Sequence, residues 1–187
     1  MLTRKVVIFT ATITVLVGMA SLASETPWVL YPYTPSLPLG LYVRTLDARA
    51  VGSIVAFRVP KAAIDYKHSI GEHVEPEFLF MKPVIAGPGD HVCHREQGAV
   101  ELNGQPIADL VAEDRLGRPL PVWQGCEFLG PDSYFTISDY VPNSFDSRHF
   151  GPIRAADILG IYRPLLTLGS HSPPDFDLDY VGEEIRQ

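Results

Sequence analysis

The chain has 187 residues, 46% hydrophobic and 20% charged, with 9 Phe, 8 Tyr and 2 Trp, a composition that argues against a disordered chain, a collagen-like repeat or a coiled coil. Its formal net charge of −7 leaves no basic surplus to neutralise phosphates, which speaks against nucleic-acid binding as its main activity. The 17 Pro and 15 Gly interrupt long helices and favour short strands between frequent turns, so a single, mainly β domain is expected.

Arg4 and Lys5 precede the uncharged stretch 6–23, which ends before Glu25. As a helix this stretch is roughly 27 Å long, about the thickness of a bilayer's hydrocarbon layer. The basic flank stays in the cytoplasm and sends the rest of the chain across the membrane. Ser21-Leu22-Ala23 also has the small-x-small form of a signal cleavage site, so the stretch fits a retained transmembrane helix or a removed signal. Trp28, Tyr31 and Tyr33 follow, rings that settle at the headgroup level and would hold the segment from about residue 30 to 40 at the membrane surface. The expected organisation is an anchor or signal over 1–26, an exported domain over 27–168 and an acidic, solvated tail over 169–187.

Within the exported part, Leu41–Val43 and Ile54–Arg58 read as strands on either side of a turn at Gly52, and Lys61–Lys67 as a helical turn before a charged surface excursion to Glu77. Phe78–Ala86 is the strongest strand, ended by Gly87-Pro88-Gly89. His91–Arg95 and Ala99–Leu102 follow, with Asn103-Gly104 as a two-residue hairpin signal. Ser133–Ser138 and Ile158–Arg163 complete the strands.

Three segments carry chemistry. In Thr34-Pro35-Ser36-Leu37-Pro38-Leu39-Gly40 the prolines hold Ser36 in a stiff non-helical segment, a hydroxyl placed as a nucleophile needs or a plain turn serine. In the Phe78–Asp90 segment, Phe78, Phe80 and Lys82 share one strand face. A lysine among apolar neighbours is pushed toward its neutral form and can act as a base, unless it snorkels to solvent. Pro83 has no N–H for a ladder and predicts an edge strand or a bulge. In Pro142-Asn143-Ser144-Phe145-Asp146-Ser147-Arg148-His149-Phe150-Gly151-Pro152, Asp146 and Arg148 are spaced to pair along an extended stretch and Ser144 offers a hydroxyl.

In this order, the three segments resemble the type I signal peptidases, and most of all the TraF-type peptidases of conjugative transfer systems, over about residues 27 to 168. The resemblance implies an antiparallel β fold of the signal-peptidase and LexA-like kind. It also implies a serine endopeptidase with a Ser/Lys dyad that processes exported precursors at the inner membrane with its domain in the periplasm. The matching residues are Ser36 as nucleophile, Lys82 as general base, Ser144 orienting the lysine, and Asp146 with Arg148 holding the site. Thr34 stands where some relatives supply a hydroxyl to the oxyanion. The implied substrate is a pilin precursor, possible cyclisation included, and the implied partners are the membrane and the conjugative transfer machinery. No cofactor and no metal is expected. This chain departs from many relatives in having Pro83 after the lysine, and Ser138-Asp139-Tyr140 where Gly-Asp-Asn is typical.

The other candidates read as structural. His91, Cys93, His94 and Cys126 could be written as zinc ligands, but two cysteines in an exported chain more naturally form a disulfide. Asp90 is expected to cap backbone N–H groups in its turn, and His149 to be a packing or surface residue rather than a catalytic base. The rival readings are a general type I signal peptidase, a LexA-like self-cleaving regulator and a non-enzymatic exported assembly factor.

Overall fold

The computed structural model describes residues 26–168 except 33, 76, 95–97 and 115. The apolar stretch 6–23, Tyr33 and the acidic tail lie outside the described residues. Among the described residues no helix is long and apolar enough to cross a membrane.

The turn-rich sequence folds into β1 (Val29–Leu30), β2 (Gly40–Thr45), β3 (Ile54–Arg58), α1 (Lys61–Ser69), β4 (Leu79–Ala86), β5 (His91–His94), β6 (Val100–Leu102), β7 (Gln105–Ala108), β8 (Gly125–Phe128), β9 (Ser133–Thr136), α2 (Ser147–Phe150), β10 (Ile153–Arg154) and β11 (Ile158–Thr167). One sheet runs β1-β2-β11-β3-β4-β9-β10 and a second β7-β6-β5-β8. Every pairing is antiparallel. The fold is mainly β, as composition and punctuation imply.

Packing follows the strand alternation. Val55, Phe57 and Val84 face one core region together with Ile153 and Ile161. Ala56 and Met81, on the opposite face, pack with Leu37, Tyr42 and Tyr162. A third region, Ile85, Val92, Val100, Leu102, Phe135 and Ile137, joins the two sheets. The Asn103-Gly104 hairpin forms between β6 and β7, both residues taking the positive φ (52° and 83°) that such tight turns require. Gly40 is needed where β2 crosses β11, because a side chain there would collide with the Leu166 carbonyl.

Pro83 does not mark an edge strand. β4 lies inside the sheet, between β3 and β9. The Val84 N–H bonds to Ser53 O on the β3 side, so the Pro83 nitrogen faces the other way. On that side β9 has already ended at Thr136, the partner of Val84, and a bulge follows before Ala86. The missing donor therefore falls where no ladder partner waits. β11 also runs past Pro164 to Thr167 by way of a bulge, beyond the expected end at Arg163.

Candidate active site

The Ser36 segment is fixed from three sides. Leu37 is buried in the core, the Tyr42 hydroxyl donates to Pro38 O at 2.8 Å, and the Ser138 hydroxyl donates to the Ser36 carbonyl. Ser36 itself is buried, and its Oγ lies 3.0 Å from Thr34 Oγ1.

Lys82 comes from the middle of β4, paired with Val55 of β3, and is only 4% exposed. Phe80 precedes it on the same face and packs edge-on to Phe57 and to Phe145, with ring centroids 6.0 and 6.2 Å away. Phe78, expected to share in burying the lysine, stands more in the open, 38% exposed. Lys82 Nζ donates to Ser144 Oγ at 2.8 Å. Burial lowers the lysine to about 8 from 10.5, and Arg148 and Lys67 push the same way against the opposing charge of Asp146. Each unit is a factor of ten, so the neutral amine at pH 7 is roughly 300 times more abundant than in a free lysine.

Ser144 is held by its own loop. Its N–H donates to Val141 O at 3.1 Å and its carbonyl accepts from Arg148 Nη2 at 3.3 Å. Arg148 meets Asp146 with two nearly parallel bonds, Nε to Oδ1 at 2.8 Å and Nη2 to Oδ2 at 2.9 Å, and both residues are buried. The pair forms as read from the sequence, but not along an extended stretch. Asp146 caps the short helix α2, and Arg148 lies in its first turn. The Asp146 carboxylate also accepts from the Ser138 N–H at 3.1 Å, so one buried ion pair ties the Ser144 loop to the residue that holds Ser36.

These elements meet at one cavity of about 970 Å³, lined by Thr34, Ser36, Lys82 and Ser144 together with Leu30, Phe78, Phe80, Met81, Phe145 and Leu159. A hydroxyl, a buried amine of depressed basicity and a largely apolar wall suit acyl transfer on a peptide. Among the described residues no group of His, Cys, Asp or Glu could hold a metal ion.

The residues outside the cavity take structural positions. Cys93 and Cys126 stand opposite each other on β5 and β8 and form a disulfide. Asp90 accepts the Gly87 N–H at 2.9 Å and the Asn103 amide at 3.0 Å. His149 is buried, with Nδ1 2.8 Å from Pro121 O and Nε2 3.2 Å from Ser144 O, and burial holds its pKa below the ordinary value.

The chain matches the family described as signal peptidase, peptidase S26, over residues 2–166. It belongs to that family. Among its relatives, a plasmid transfer protein TraF of Escherichia coli is 33% identical over 143 residues, covering 72% of this chain and 80% of the relative. A probable conjugal transfer protein TraF of Sinorhizobium fredii is 32% identical, covering 72% and 74%. A signal peptidase I of Leptolyngbya laminosa is 30% identical, covering 66% and 57%. Membership in the S26 family, with TraF proteins among the relatives, agrees with the resemblance carried by the three segments.

Ser138 is not marked as a site residue by its local sequence, yet in the fold its hydroxyl reaches the Ser36 backbone. Phe145 was likewise read only as part of a motif. Its ring is contacted by Tyr66 and Lys67 of α1, by Phe80 of β4 and by His149 of α2, which no local pattern reveals.

Proposed function

We propose that this protein is a serine endopeptidase that cuts exported precursor proteins, with Ser36 as nucleophile and Lys82 as general base. The observation that carries the reading is Lys82: a buried amine, lowered to about 8, bonded to Ser144 and facing the same cavity as Ser36. Neutral Lys82 takes the proton of Ser36 Oγ as that oxygen attacks the peptide carbonyl. The resulting ammonium gives the proton to the departing amine as the peptide bond breaks, leaving an ester on Ser36. Water, deprotonated by the again neutral lysine, attacks this ester and frees the acid. The Ser36 N–H and the Thr34 hydroxyl are the donors for the oxyanion. Ser144 orients the amine, and the Asp146–Arg148 pair keeps Ser144 in place.

The names of the TraF relatives support a role in conjugative transfer, and within that role we propose a pilin precursor as the substrate. If the precursor's own amine replaces water in the last step, the product is cyclic. We place the domain on the periplasmic face of the inner membrane. The basic N-terminus and the apolar stretch after it support this. So do the exposed side chains Trp28, Val29, Tyr31, Leu41, Leu165, Leu166 and Leu168 on and beside β1, β2 and β11, at one edge of the sheet.

The test is incubation of the full chain in membranes with candidate pilin precursors and with a general secretory precursor, followed by weighing of the products. Cleavage of a pilin precursor that is lost in both Ser36→Ala and Lys82→Arg is the expected result, and a cyclic product is lighter than the linear one by one water. Cleavage of the secretory precursor alone would make the chain a general signal peptidase. Transfer function preserved in both variants would make it a non-enzymatic assembly factor.

A further inference from the structure

The cavity extends beyond the dyad to a short loop that has no counterpart in the sequence reading. Glu113 and Pro119 form an isolated antiparallel bridge that closes this loop. Asp114 organises its interior. Asp114 Oδ1 accepts the N–H of Leu116 at 2.8 Å and of Arg118 at 2.9 Å, and Oδ2 pairs with Arg118 Nε at 2.6 Å. Gly117 takes φ +71° and donates its N–H to Asp114 O at 3.0 Å.

The loop is also fastened from outside. Arg118 Nη2 pairs with Glu72 Oε1 at 2.6 Å, and Glu72 Oε2 is held by Lys67 Nζ of α1 at 2.8 Å. These bonds hold the Glu72 carboxyl below its usual pKa. Two cations and two anions satisfy one another, so the cluster offers no net charge to a ligand. What the loop leaves over is Leu116, 76% exposed and lining the same cavity as Ser36 and Lys82. Phe78 is the other exposed large apolar side chain of that cavity outside the Leu30–Ser36 stretch.

An exposed leucine needs no explanation by itself. This one is carried on a loop whose turn is fixed by a carboxylate and whose position is fixed by an ion-pair chain, and it is presented to the cavity that contains the dyad. We infer that Leu116 is a substrate-specificity residue that takes, with Phe78, an apolar side chain of the precursor at a position away from the cut. A peptide whose scissile carbonyl lies on Ser36 can run through the same cavity to reach it. The paired charges of Lys67, Glu72, Asp114 and Arg118 leave that cluster without net charge, and Arg58 and Glu77, the other charged lining residues besides Lys82, are of opposite sign. Contact with two apolar groups removes apolar surface from water on both sides. The inference rests on the peptidase reading and adds to it the chemistry of one substrate position.

The test is a set of peptides spanning the cleavage site of a processed precursor, each with one position changed from Ser to Leu, with kcat/KM measured for every pair. Wild type is expected to favour Leu over Ser by about five- to tenfold at one position distant from the cut, the scale of a small hydrophobic contact. In Leu116→Ala the Leu-to-Ser ratio at that position should fall to near one, with the ratios elsewhere kept and the pH midpoint that of wild type. Glu72→Gln, which loosens the loop without touching its tip, should reduce the same ratio. Because Leu116 is so exposed, its truncation leaves the core intact, and an unchanged thermal transition checks this. A wild type with no apolar preference at any position, or a Leu116→Ala variant that slows Leu and Ser peptides by the same factor, would overturn the inference and leave the dyad standing. Cleavage by Ser36→Ala would instead overturn the peptidase reading beneath it.

Discussion

Replacing Lys82 by Met should make the protein more stable at neutral pH, although it abolishes the proposed base. In the unfolded chain the lysine titrates near 10.5, and in the fold at about 8. Between these values the unfolded state binds more protons, so stability rises with pH across this window and the penalty of the buried ammonium is complete below about 8. At about 1.4 kcal/mol per unit, that penalty is roughly 3 kcal/mol. Methionine fills a similar volume without the charge, but it gives up the hydrogen bond to Ser144 Oγ, about 1 kcal/mol. A net gain of about 1–2 kcal/mol is expected at pH 6.5, shrinking to zero or below at pH 10.5 and above, where the amine is neutral in both states. Urea unfolding of wild type and Lys82→Met at the two pH values, with matching m-values, measures this directly. A variant less stable than wild type at pH 6.5, or a difference that does not change with pH, would refute the reasoning that burial depresses the lysine.

Ser144→Ala should lower kcat by about 10- to 100-fold, because the amine loses the acceptor that aims it, and activity within about twofold of wild type would contradict that role. Asp146→Asn leaves the buried Arg148 without its counter-charge and should cost about 3–5 kcal/mol in urea unfolding, far more than a surface pair would. Loss of the Cys93–Cys126 bond, which closes a separation of 33 residues, should cost about 3–4 kcal/mol when the double serine variant is compared with the oxidised protein.

The site is legible in the sequence where chemistry and short-range order coincide. Prolines around Ser36, a lysine inside an apolar strand and a paired Asp146 and Arg148 are local patterns, and the fold brings Ser36 and Lys82 to one cavity, with the ion pair buried behind Ser144. The strong strands β3, β4 and β9 are legible for the same reason. Short strands such as β7, β8 and β10 carry too few residues for a period to show, and they exist because a neighbouring strand offers a ladder. Of the two readings of Pro83 the bulge holds and the edge strand does not, because a local rule about donors assumes a partner on each side, and β9 stops one residue too early to need one. Ser138, Phe145 and the loop around Asp114 take their places through contacts made across long sequence separations. Arg118 and Glu72, for example, are 46 residues apart, and no pattern in either stretch announces the pair.

The pH dependence of kcat/KM on a cleaved precursor peptide tests the dyad most directly, since in the free enzyme it reports the group that must lose a proton before Ser36 can attack. With Lys82 as that group, the rate should rise about tenfold per pH unit in the acid range and level off with a midpoint near 8. Both Lys82→Arg and Ser36→Ala should be inactive throughout. A midpoint near 6.5, as an ordinary histidine would give, or near-normal turnover by Lys82→Arg at any pH, would contradict a Ser36–Lys82 dyad.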